Sequence, residues 1–244
     1  MLNTPAGPAL KPEHMGKHGP GSTLRLLVTG FGPFPDVPFN ASEGLIHGLQ
    51  SFRFRKVPPP RLFTAVLPTD WRQAQRQLHS LVKAVKPDIA LHFGVSRRAR
   101  GFVIETRACN QTSARQDCSG ASAMRRCVRR NAAAALPTTL PAARLVQRLR
   151  MEGIPAKLSS DAGRYLCNTL LYESLHLAEA AGGACTAGFV HIPALGAPEY
   201  EGALASNFGW LQLMRGAGII LDMLAHAAKA DQGCALPSGR PCNS

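Results

Sequence analysis

Apolar residues fall along this chain in two alternating rhythms. Short, nearly unbroken apolar runs occupy residues 24–29 (LRLLVT), 62–67, 88–93 (DIALHF), 102–107, 156–159 and 186–192. Runs of this length, bounded by Gly, Pro or polar turns, read as buried strands. Between them the apolar positions recur at helical spacing. A short helix covers 41–49, with Asn40 or Ser42 as its cap. A longer one is capped by Thr69 or Asp70 and carries Trp71, Ala74, Leu78, Leu81, Val82 and Val85 on one face before Pro87 stops it. Further helices are predicted over 140–151, 167–181 and 204–229. Strand and helix therefore alternate, which predicts an α/β fold, a three-layer α/β/α sandwich with a largely parallel twisted sheet. Residues 23–229 form one α/β domain in this reading, with residues 1–22 and 230–244 as flexible tails. Residues 110–135 show no period and read as a long irregular connection, which compact domains seldom carry without a use for it.

Composition narrows the class. Charged residues are 18% and hydrophobic residues 45%, a globular rather than a disordered balance. No apolar run reaches the ~20 residues of a membrane span, so no membrane partner is expected. The first 22 residues lack the apolar core of a secretory signal, so the cytoplasm is the expected compartment. The net charge of +13 raises a basic nucleic-acid-binding α/β protein as an alternative. Nine arginines lie between Arg97 and Arg130 against only Glu105 and Asp117, but Phe102 is the sole aromatic there. Without interleaved aromatics or a zinc-finger or RNP1 spacing, the stretch reads as solvated surface, and nucleic acid is not the expected partner. The seven cysteines contain no CxxC pair, and Cys109, Cys118 and Cys127 are nine residues apart, which matches no zinc pattern. No metal is expected. In a cytoplasmic setting most of these are free thiols, with Cys234 and Cys242 placed to pair near the C-terminus.

The loop GFGPF at 30–34 suggests a dinucleotide site and then excludes it. Pro35 stands where the third glycine of GxGxxG belongs, Pro33 lacks an N–H, and no acid follows about 20 residues on. No cofactor is expected. The loop does present Phe31 and Phe34 at the carboxyl end of a strand, where open α/β sheets bind ligands; core packing is the competing reading. Glu105 lies inside an apolar strand and needs a partner. Arg107 would share its face as an ion pair; alternatively, the carboxylate orients an imidazole. Cys167 follows the turn Asp161–Ala162–Gly163 at the start of a helix, and His191 ends a short strand. A thiol at a helix N-terminus beside an imidazole is the arrangement of a thiolate nucleophile. Alone, each would read as a buried side chain.

These residues carry a resemblance. The segments VTGFGPF (28–34), N-x-S (40–42), IETRACN (104–110), SSDAGRYLCN (159–168) and GFVHIP (188–193) are similar, in content and order, to the pyroglutamyl peptidase I family of cysteine peptidases. The resemblance spans about 24–229. It implies a peptidase that removes N-terminal pyroglutamate (5-oxoproline) from peptides without metal or cofactor, as a homodimer or homotetramer. By the same resemblance Cys167 is the nucleophile, His191 the general base and acid, and Glu105 the orienting carboxylate. Phe31 and Phe34 flank the lactam ring. Val95 stands at a substrate-binding position where many members have glutamine or a similar polar group, and Arg97, Arg98 and Arg100 crowd a usually glycine-rich turn. That departure leaves a diverged member as an alternative, acting on another amide or lactam or without activity. It also suggests a preference for acidic peptides.

Overall fold

The computed structural model describes residues 23–34, 39–55, 58–196 and 208–230. The tails at 1–22 and 231–244, Cys234 and Cys242 with them, and residues 204–207 of the last expected helix lie outside the described residues. The elements run β1 (Arg25–Phe31), α1 (Ala41–Leu49), β2 (Arg61–Leu67), α2 (Trp71–Val85), β3 (Ile89–Ser96), β4 (Phe102–Glu105), β5 (Arg107–Cys109), β6 (Ala135–Pro137), α3 (Ala142–Met151), β7 (Ala156–Ser159), α4 (Leu166–Ala180), β8 (Thr186–Pro193) and α5 (Trp210–Ala230). No described helix is long and apolar enough to cross a membrane.

Among the described residues six strands form the central sheet, in the order β2-β1-β3-β8-β4-β7. Four of the pairings are parallel; β8 and β4 run antiparallel. The sheet is thus largely parallel, as the alternation of elements predicts, with β4 and β7 reversed at one edge. Its two faces bury separate cores, which is why β1, β3 and β8 read as continuous apolar runs. One core joins the sheet to α1, α3 and α5 through Leu45, Leu145 and Leu221; the other joins it to α2 and α4 through Leu78, Leu171 and Phe189. Each fully buried Leu or Phe contributes about 1.5–3 kcal/mol.

The helices begin where short polar side chains can cap them. Asn40 accepts from the Ser42 N–H at the start of α1, and Asp70 accepts from Arg72 and Gln73 N–H at the start of α2. Helix α4 differs: Tyr165 stands at its cap and no side chain satisfies its first turn.

Several boundaries depart from the sequence reading: β3 runs on to Ser96 past the expected end at 93, and the last helix starts at Trp210, with 208–209 outside it. Strand β1 continues through Phe31, because pairing with β2 extends to Phe31↔Leu67. The single strand expected over 102–107 breaks at Thr106, whose N–H and hydroxyl both bond to the Ser159 carbonyl. Arg107 then joins a separate ribbon of β5 and β6 and donates to the Ser160 carbonyl. The ion pair expected between Glu105 and Arg107 does not form.

Residues 110–134 hold their shape through side chains bonding to backbone. The Asp117 carboxylate accepts from the N–H groups of Trp71, Ser119 and Ala121 and from the Ser119 hydroxyl. Asn110 donates to the Arg129 carbonyl and accepts its N–H, and Arg129 forms a two-pronged ion pair with buried Glu173 on α4. The segment is thereby fastened to both α2 and α4.

Candidate active site

The parallel strands end together at one rim of the sheet, and their side chains on the α2/α4 face meet in a cleft of about 770 Å³. Cys167 and His191 line it with Glu105, Phe31, Phe34 and Val95, so all six residues singled out from sequence border one space. Val95 also packs on the core of the opposite sheet face.

Local structure explains each position. The turn at Asp161 closes when its carboxylate accepts from Gly163 N–H, and Gly163 takes φ +82°. Few residues other than glycine hold that angle comfortably. The turn delivers Cys167 into the uncapped first turn of α4, among unsatisfied N–H groups and at the positive end of the helix dipole. Asn168 anchors that turn, donating to the carbonyls of Cys109 and Gln111 while accepting the Cys109 N–H.

His191 reaches the same point from β8. Its Nδ1 donates to Glu105 Oε1 at 2.8 Å. Both residues are buried, and Glu105 Oε2 has no hydrogen-bond partner among the described residues. Burial opposes charge on the imidazole. Hydrogen bonds to Cys167 and Glu105, reinforced by their negative charges, outweigh it and raise the histidine pKa to about 10. The site therefore favours the imidazolium form of His191.

Gly94 on β3 is paired with His191. A Cβ there would lie 2.7 Å from the Phe189 ring and 3.2 Å from Cys167 Sγ. Any side chain would press on the sulfur.

The aromatic end of the cleft is clamped from two sides. Ser42 Oγ accepts the Phe31 N–H and Asn40 donates to the Gly32 carbonyl, so the first turn of α1 fixes the loop that carries both rings. The Arg115 guanidinium lies over Phe34 and Tyr165, 5.8 and 4.9 Å from their centroids. Tyr165 in turn donates to the Gln116 carbonyl. The segment that shows no period in sequence is thus a wall of the cleft. Gly94, Arg115, Tyr165 and Asn168 escaped the sequence reading of the site. Asp117 was the available signal: an acid in a turn-rich stretch, placed to organise the backbone around it.

The profile of the pyroglutamyl peptidase family matches residues 24–202. A pyrrolidone-carboxylate peptidase of Pyrococcus furiosus is 34% identical over 171 residues, covering 70% of this chain and 81% of that protein. One from Halalkalibacterium halodurans is 34% identical, over 69% of this chain and 83% of its own. Among solved structures, a mutant pyrrolidone carboxyl peptidase from P. furiosus superimposes with a TM-score of 0.75 at 28% identity, covering 84% of this chain and 99% of that one. Bacillus amyloliquefaciens pyroglutamyl peptidase I gives 0.74 at 25% identity, covering 84% and 98%.

Proposed function

The chain belongs to the pyroglutamyl peptidase family of cysteine peptidases, and from this we propose that it releases N-terminal pyroglutamate from peptides through Cys167, His191 and Glu105. The observation that carries the reading is one imidazole hydrogen-bonded to a buried carboxylate and sharing its cleft with a thiol at an uncapped helix start.

In this mechanism the Cys167 sulfur attacks the carbonyl carbon of the blocked residue, forming a C–S bond. His191 takes the thiol proton as the sulfur attacks. N–H groups in the first turn of α4, that of Cys167 included, stabilise the oxyanion. His191 passes its proton to the leaving amine as the C–N bond breaks. It then takes a proton from water, which attacks the thioester; the C–S bond breaks, and pyroglutamate leaves as the thiol returns. Glu105 holds Nδ1 and so leaves Nε2 for the reaction.

Phe31 and Phe34 supply an apolar slot for the flat lactam ring, and Val95 borders it. The substrate lacks a charged α-amine, so no carboxylate is required to receive one. Both acids among the described lining residues are committed elsewhere, Glu105 to His191 and Asp161 to Arg164.

Hydrolysis of a chromogenic pyroglutamyl amide tests the proposal. The wild type should turn it over, and Cys167→Ala should lose at least about a thousandfold while keeping its melting temperature. Comparable turnover by the alanine variant would remove Cys167 from the mechanism.

A further inference from the structure

Five adjacent strands set one residue each at the same height on the α2/α4 face. Gly94 pairs with His191, His191 with Val103, and Val103 with Lys157. Thr29 pairs with His92, which brings Phe31, two residues on, beside Gly94. Directly paired residues point to the same side of a sheet. The floor of the cleft therefore runs Phe31, Gly94, His191, Val103, Lys157, from the middle of the sheet to its edge strand.

This row gives the substrate a direction, resting on the function proposed above. The ring lies at the Phe31 end, and His191 delivers its proton to the amine on the other side of the scissile bond. The leaving chain must then cross β4 and β7, over Val103 toward Lys157. Strands are about 4.8 Å apart, so Lys157 stands about 10 Å from His191, within reach of side chains on the first two residues of the leaving chain.

The acids among the described lining residues, Glu105 and Asp161, are paired with His191 and Arg164, which leaves the basic groups in excess. Arg98, in the turn after β3, and Lys157 both line the cleft, and both are exposed. Neither forms an ion pair among the described residues. We propose that this outer half of the cleft is a subsite for acidic leaving chains, with Lys157 and Arg98 recognising a carboxylate in the first two residues after pyroglutamate. The protein is thus a pyroglutamyl peptidase selective for acidic peptides.

The test compares kcat/KM for pyroglutamyl peptides that differ only in the next residue: Glu, Gln or Lys. At low salt the expected order is Glu, Gln, Lys, with about fivefold per step, as for one exposed ion pair. The spread should shrink as salt screens the site. Lys157→Glu should reverse the order, and Arg98→Ala should reduce the spread. Lys83→Glu makes the same charge change on the last turn of α2, outside the cleft, and should leave the order intact. Melting temperatures confirm that each variant is folded. Equal turnover of the three peptides, or equal effects of the changes at Lys83 and Lys157, overturns the subsite. Turnover of the Gln peptide without an acidic preference defeats this inference alone; failure to cleave any of the three defeats the pyroglutamyl reading beneath it.

Discussion

His92 and His191 stand on neighbouring strands of the same sheet face, one step apart in height. Both occur in short apolar runs, and both are buried. Their chemistry is opposite. His92 lies between two hydroxyls, Thr29 Oγ1 at 2.8 Å and Ser174 Oγ at 2.9 Å. Burial with only neutral partners pushes its pKa down to about 3. It is a neutral strut joining β1, β3 and α4. His191 meets a carboxylate and a thiol instead, and its pKa rises to about 10 despite burial. Burial alone discharges a histidine; the charge of its partners decides whether it can move a proton near neutral pH.

Alanine at each histidine should separate the two roles most sharply. His191→Ala is expected to cut kcat/KM for a pyroglutamyl amide by about a thousandfold or more with little change in melting temperature. His92→Ala should do the reverse. It strands two buried hydroxyls and opens a cavity, costing about 2–4 kcal/mol, while the folded fraction keeps its kcat. Activity loss in both without destabilisation of either would erase the distinction.

Removing one anion from His191 narrows the difference. Glu105→Gln should lower kcat by about a hundredfold or more. It should also move the alkaline limb of the pH–rate profile, expected near the His191 pKa of about 10 in the wild type, down toward the ordinary histidine value. An unmoved limb would mean that Glu105 does not hold the proton in place.

The His92 pKa makes a prediction about stability. Its folded pKa is depressed, so the unfolded chain takes up the proton first as pH falls below the ordinary value of 6.5. Stability is complete above 6.5 and declines by about 1.4 kcal/mol per pH unit toward pH 3 on account of this group. Urea midpoints against pH should show this slope in wild type and a shallower one in His92→Gln. The smallest effect is expected from Thr29→Val, which removes one hydrogen bond from the strut. It should cost about 1 kcal/mol and leave the pH–rate profile unchanged.

The same contrast explains what sequence could and could not disclose. Apolar runs and helical spacing placed the central strands and the helices, because those elements fold by burying their own periodic faces. Cys167, His191 and Glu105 stood out as a set through motif and order; the apolar runs around His92 and His191 do not separate the two. The difference depends on Ser174 and Glu105, which are distant in the chain. The wall over 110–134 was illegible for another reason. Asp117, Asn110 and Arg129 hold it through hydrogen bonds and an ion pair, which leave no hydrophobic rhythm. The break at Thr106, which separates Glu105 from Arg107, likewise depends on the distant Ser159 carbonyl.

Strand β7 is the last strand of the sheet, and among the described residues no further strand covers its outer side. A chain threaded along the row from Phe31 to Lys157 therefore leaves over an open border. Such a site inspects how a peptide begins and places no strand in the way of how far it continues. On that geometry, a dipeptide and a hormone-sized chain sharing their first residues should present the catalyst with the same problem.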